Sequence, residues 1–144
     1  MPPDPYDLAR FVDAQDAVYQ EALAEIQNGR KRSHWMWFVF PQFAGLGSSP
    51  TAQHYAIRSL AEARAYLAYP VLGPRLLESA EAALSVEKRT AREVFGSPDD
   101  LKLRSSATLF GSVSSEGSAF HRLLDRFFDG SADQKTLALI SSST

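Results

Sequence analysis

The chain has 144 residues, 44% hydrophobic and 22% charged, with a formal net charge of −2 and no cysteine. That length predicts a single domain, residues 1–144, able to bury a core without covalent staples. The missing thiol excludes disulfides, thiolate catalysis and the usual structural zinc sites, and the charge balance provides no basic field for nucleic acid. No metal, no cofactor and no nucleic-acid partner are therefore expected. Met1-Pro2-Pro3-Asp4-Pro5 lacks the basic and apolar regions of a secretory signal, and no apolar run approaches the roughly 20 residues that span a bilayer. The expectation is a cytoplasmic chain with no membrane partner.

Helix signals dominate along the chain. Leu8, Phe11, Val12, Gln15, Val18, Tyr19, Ala22, Leu23 and Ile26 recur at helical spacing, which predicts one long first helix. Asp4 is placed to cap it, Pro5 suits its first turn and Gly29 its end. Next, His34 to Phe40 is short and aromatic; with no second strand to pair with, it reads as buried helix. Ser49-Pro50 reads as a cap with a first-turn proline. Ser59 to Glu62 and Thr90 to Glu93 have capping-box spacing, and Gly96 follows the second. Between them, Leu76, Leu77, Ala80, Ala83 and Leu84 form an apolar face over Pro74 to Val86. Ser97-Pro98-Asp99-Asp100 opens another helix with carboxylates at its positive dipole end. Phe120, Leu123, Leu124, Phe127 and Phe128 mark the segment that Gly130 closes, and Ser131 to Gln134 opens the last helix. Residues 5–140 form the expected ordered core, and Ser141-Ser142-Ser143-Thr144 a frayed tail. The fold class is all-α: an irregular bundle of six or seven short helices around one core.

Three clusters carry candidate chemistry. His34-Trp35-Met36-Trp37 places both tryptophans beside a histidine. Helical neighbours splay about 100° apart, so Trp35 and Trp37 cannot both face one way. The segment reads either as an aromatic hub of the core or as a pocket wall, with a tryptophan stacking on a flat ligand and His34 carrying a proton. Gln42, Gly45, Gly47 and Ser48 lie in a glycine loop whose amides suit an anion; it has neither the third glycine of a dinucleotide fingerprint nor the Gly-Lys-Ser/Thr of a P-loop. Lys102, Ser105 and Ser106 share one side of a helix. They read as an anion cradle or as a solvated face in which Asp99 or Asp100 pairs with Lys102 or Arg104. The double serine within a helix calls for a reason, since serine competes for backbone hydrogen bonds there. Arg30-Lys31-Arg32 offsets the dipole at the end of the first helix and needs no partner. His34, His54 and His121 lie too far apart for a helical metal pair.

With these residues in view, the chain resembles a bacterial family of domains of unknown function, number 1810, whose members often carry the label calpastatin. The resemblance runs from Tyr6 to Ile140. It rests on Arg10-Phe11-Val12 with Gln15, on Ser33-His34-Trp35-Met36-Trp37-Phe38 with Phe40-Pro41-Gln42, and on Gly45-Leu46-Gly47. Glu62-Ala63, Tyr66-Leu67, Pro70-Val71-Leu72-Gly73 and Lys102 with Ser105-Ser106 and Thr108-Leu109-Phe110 carry the rest. It implies a small, mainly helical domain and no established activity. Tyr69 stands where the family usually carries His, and Ala107 where it carries Met. The calpastatin label conflicts with the composition, because that inhibitor is largely disordered and this chain has the apolar content of a packed domain.

The functional expectation is a small anionic or nucleotide-like ligand held by Trp35, Trp37, Gln42, Gly45, Gly47 and Ser48, with Arg58, Lys102, Ser105 and Ser106 approaching from other helices. If a reaction is catalysed, which the sequence leaves open, His34 is the acid or base. The alternative is a protein–protein interaction module in which the aromatic segment is purely structural and Tyr66, Tyr69 and Leu72 form an exposed patch.

Overall fold

The computed structural model describes residues 3–143. Met1 and Pro2, at the head of the segment read as lacking a signal, and Thr144 of the expected frayed tail lie outside the described residues. Ten helices occur among the described residues: α1 (Ala9–Asp16), α2 (Tyr19–Gln27), α3 (Met36–Val39), α4 (Pro50–His54), α5 (Leu60–Ala68), α6 (Leu72–Leu84), α7 (Ala91–Phe95), α8 (Asp99–Gly111), α9 (Ala119–Phe128) and α10 (Gln134–Ser142). The fold is all-α, with a single isolated parallel bridge, Phe43 to Ile57, among the described residues.

The helix count exceeds the expected six or seven because α3, α4 and α7 stand as separate short helices and the first periodic segment is two helices. Val18 leaves helical geometry at φ −133° and ψ −4°, and its N–H closes a three-residue turn on Gln15 O at 2.9 Å. The break lets α1 pack on α3 while α2 packs on α6. Tyr19, just past it, is buried against α6 and donates its hydroxyl to Arg75 O at 3.2 Å and to the Glu78 carboxylate. Nothing local marks this break; the packing of α2 against α6 accounts for it.

Helix starts follow local chemistry more closely. The Ser49 hydroxyl accepts the Ala52 N–H at 3.1 Å, and Thr90 and Glu93 exchange both bonds of a capping box at 3.1 and 2.8 Å. At α5 the box is half made. Ser59 accepts the Glu62 N–H at 3.0 Å, but the Glu62 carboxylate turns to Arg58 N–H (3.1 Å) and to the Arg10 guanidinium (2.7 Å). The last helix is capped by Asp133, not Ser131: its carboxylate accepts the Thr136 N–H at 3.1 Å. α10 continues through Ser142, so Ser141 and Ser142 of the expected tail are helical.

The core runs through α8, whose residues Ser105–Gly111 are all buried. Phe11, Tyr66, Phe110 and Phe120 form a chain of ring contacts across it, with centroids 5.1, 5.3 and 5.7 Å apart. Each such burial contributes about 1.5–3 kcal/mol. Arg10, buried with Glu62, uses all five of its donors. They go to the carbonyls of Tyr6 (2.5 Å), Asp7 (2.8 Å), His54 (2.8 Å) and Ala56 (2.9 Å), and to Glu62 at 2.7 Å. This network fixes the extended stretch after α4 against α1 and α5.

α10 is joined to α8 differently. Arg104 donates to Ser131 O at 2.8 Å and Ala132 O at 3.1 Å. Thr108 accepts the Asp133 N–H at 2.9 Å, and Ser105 donates to the Asp133 carboxylate at 3.2 Å. Ser105 and Thr108 within α8 therefore have a structural reason: they hold the cap of α10.

Candidate functional site

The turn of α3 and the loop after it form the site, and both are anchored before they reach it. Gln15 donates to Phe38 O at 2.6 Å and to the Tyr66 hydroxyl at 3.0 Å, tying the end of α3 to the core. Ile57 N–H donates to Gln42 O at 2.9 Å and Ala44 N–H to Ile57 O at 2.8 Å, so the loop pairs with the stretch that Arg10 holds. Beyond it the chain turns through Gly45 at φ +103°, a backbone that disfavours any side chain. Gly47 is required by proximity, since a Cβ there would stand 2.5 Å from the Ala52 Cβ. The glycine spacing thus has a backbone cause before any ligand is considered.

Three cavities meet at Trp37. The outer groove, of about 470 Å³, is walled by Trp37, Gln42 and Leu46–Ser49 on one side, by Pro98 and by Leu101, Lys102 and Ser105 of α8 on another, and by Asp133 and by Lys135 of α10. A smaller inner cavity of about 180 Å³ shares Trp37, Gln42, Gly47 and Ala52 with it and extends to Gly45, Gln53, Tyr55 and Arg58. The third, of about 270 Å³, holds His34, Lys31 and Asp99 beside Trp37 and Lys102.

Charge is arranged in this region by pairs. Asp99 takes Lys31 on one oxygen at 2.8 Å and Lys102 on the other at 3.3 Å. Lys102 Nζ also lies 4.9 Å from the Trp37 ring centre, and Lys31 Nζ 5.1 Å from that of Trp35. The Asp133 carboxylate is engaged by Ser105 and by Thr136, whose hydroxyl donates at 2.5 Å. Lys135 lines the groove with no ion pair among the described residues.

Most of the expected site residues come together. Trp37, Gln42, Gly47, Ser48, Lys102 and Ser105 border the outer groove; Gly45 and Arg58 border the inner cavity; His34 is exposed in the third. Trp35 and Ser106 are not at any of them. Trp35 is 1% exposed, and its indole N–H donates at 2.9 Å to the buried Glu25. Ser106 is likewise 1% exposed, one helical step from Ser105 and turned into the core. Burial of Glu25 acts to raise its pKa, but bonds from the Ser33 hydroxyl, the Arg32 amide, the Trp35 indole and the Ser33 amide outweigh it and hold the carboxyl down at about 2. The aromatic segment is therefore divided, with Trp35 in the core and Trp37 at the cavities. The patch expected for an interaction module is not exposed either: Tyr66 and Leu72 are fully buried, and only Tyr69 is partly accessible.

Sequence reasoning missed Leu101, Asp133, Lys135 and Tyr55, which tertiary packing brings to the site. Lys135 carried a signal. It sits in the first turn of α10, where a cation opposes the helix dipole and costs about 0.3–1 kcal/mol, so something other than helix stability accounts for it.

Residues 5–140 match the model of a family described as "Protein of unknown function (DUF1810)". The chain is similar to the conserved hypothetical protein Rv1873 from Mycobacterium tuberculosis, whose crystal structure superposes with a TM-score of 0.94 at 51% sequence identity, covering 96% of this chain and 99% of that one. No curated protein matches the chain. Among the described residues, no helix is long and apolar enough to cross a membrane.

Proposed function

The chain belongs to the DUF1810 family, whose function is unknown, and from that premise we propose that it binds a small anionic ligand in the outer groove beside Trp37. The observation that carries this reading is Lys102. Its ammonium is held on the face of Trp37 and against Asp99, in a groove that Lys135 enters from a separate helix. A cation fixed in advance needs little ordering when an anion arrives, which raises affinity at fixed contact area. Lys135, placed against its own helix dipole, supports the same reading. Leu46, Leu101 and Pro98 supply the apolar wall that small-molecule sites combine with a few polar groups. Ser48 and Gln42 add neutral hydrogen-bonding groups at the rim. His34, exposed beside Lys102 and Asp99, is the group we assign to proton transfer if the ligand is turned over.

Calorimetric titration and thermal unfolding with inorganic phosphate, pyrophosphate and simple phosphate esters test this. A ligand at a hundredfold excess over its Kd adds about 2.7 kcal/mol of stability. Binding lost in folded Lys102→Met and Lys135→Met chains supports the groove. Absence of any anion-dependent shift in the native chain overturns it.

A further inference from the structure

The inner cavity has a chemistry distinct from that of the groove it adjoins. Trp37 and Tyr55 are among the aromatic residues of its lining, which also includes Gln42 and Arg58; Gln42, Tyr55 and Arg58 carry polar side-chain groups at their ends. None of these three side-chain groups makes a hydrogen bond to another described residue, although the backbones of Gln42 and Arg58 are both engaged. Gln42 and Tyr55 are half-buried and Arg58 is exposed, so all three polar groups are free to bond an occupant in place of water. Arg58 is donor only, with a planar fork; Gln42 offers two donors and an acceptor oxygen; Tyr55 offers one donor and an acceptor oxygen. Donors thus outnumber acceptors, and a matching occupant is flat and carries carbonyl or ring-nitrogen acceptors along its edge.

Resting on the groove reading, we infer that the inner cavity takes the base of a keto-edged nucleoside monophosphate, of guanine or uracil type, whose phosphate lies in the outer groove on Lys102 and Lys135. The two cavities meet along Trp37, Gln42, Gly47 and Ala52. A ligand with a ring at one end and a phosphate at the other fits that division. Guanidinium pairs bidentately with the O6 and N7 acceptors of guanine, whereas adenine presents an amino donor at the same edge. Gln42 borders both cavities, so it is placed to bond either the base or the sugar. The volumes, about 180 and 470 Å³, lie in the range of small-molecule sites taken together.

Titration with GMP, UMP, AMP and ribose 5-phosphate, each against the native chain, Arg58→Ala and Gln42→Ala, tests the inference. GMP or UMP is expected to bind at least tenfold more tightly than AMP and ribose 5-phosphate, the effect of one charge-assisted hydrogen bond. Arg58→Ala, an exposed and structurally mild change, removes that preference and leaves ribose 5-phosphate affinity unchanged. If ribose 5-phosphate binds as tightly as GMP and neither substitution matters, the base-site inference is overturned and the anion groove stands. If AMP is preferred, the keto assignment is overturned. If no phosphate ester binds and inorganic phosphate and pyrophosphate fail as well, the groove reading falls and this inference with it.

Discussion

Lys102 Nζ stands 4.9 Å from the centre of the Trp37 ring, joining the first turns of α8 to the one turn of α3. The neighbouring Trp35 has its own lysine, Lys31, yet is sealed in the core. Two tryptophans two residues apart therefore carry the same kind of cation contact, one buried and the other half-buried. A cation–π contact of this kind contributes about 0.5–1 kcal/mol, and an anion arriving at Lys102 alters the charge beside the Trp37 ring. Ligand binding should consequently change Trp37 fluorescence. The change is expected to persist in Trp35→Phe, if that chain folds, and to vanish in Trp37→Phe. Trp35→Ala should cost about 3–5 kcal/mol in urea unfolding, since it empties a core site and strips Glu25 of a donor; Trp37→Ala should cost clearly less.

The Glu25 carboxylate gives a pH signature. Its folded pKa of about 2 lies below its ordinary value of 4.5, so the stability it contributes is fully present above the ordinary value. It is lost as pH falls from about 4.5 through about 2. A shift of this size corresponds to about 3 kcal/mol. Urea unfolding of the native chain should show that loss, and Glu25→Gln should be destabilised at pH 6 but converge on the native chain near pH 2. A constant gap between the two across that range would refute the assignment.

Arg10 links stability to the site, because its donors hold His54 O and Ala56 O, next to the wall of the inner cavity. Removing one partner of a buried pair leaves the other charge uncompensated, at a cost of about 3–5 kcal/mol. Arg10→Met should show this cost in denaturant titration. Glu62→Gln keeps the shape and one acceptor and should cost less.

Gly47 is the sharpest steric test. Gly47→Ala sets a Cβ against Ala52 Cβ, 2.5 Å away before relaxation, and should destabilise by about 1–3 kcal/mol. Ala52→Gly alone should cost about 1 kcal/mol of helix propensity. The double variant should be more stable than the sum of the two, and a strictly additive result would place the strain elsewhere.

What could be read from the chain divides along the range of the interactions involved. Ser49-Pro50 and Thr90 with Glu93 were legible because a cap and its target lie within one turn. Helical spacing predicts that Trp35 and Trp37 diverge, but not which one is buried, and Trp35 in fact precedes α3. Asp133 displaced Ser131 as the cap because Thr108 and Ser105, on another helix, hold it in place. The break at Val18 had no glycine or proline to announce it. The groove could be half read: its loop side is one contiguous stretch, while Leu101, Asp133 and Lys135 reach it only through the packing of α8 and α10.

That packing has a dynamic consequence. α10 buries only Thr136 and Ile140 of its own residues, and its attachment to α8 runs mainly through the polar contacts of Arg104, Ser105, Thr108 and Asp133. Elements held by few apolar contacts open at free energies well below that of global unfolding. The wall bearing Lys135 is thus expected to detach below global unfolding, and only the closed fraction presents both lysines together. Apparent affinity for any anion is scaled by that fraction, so the strength of a latch built from two hydroxyls, a carboxylate and a guanidinium sets how sensitive the groove is to low concentrations of its ligand.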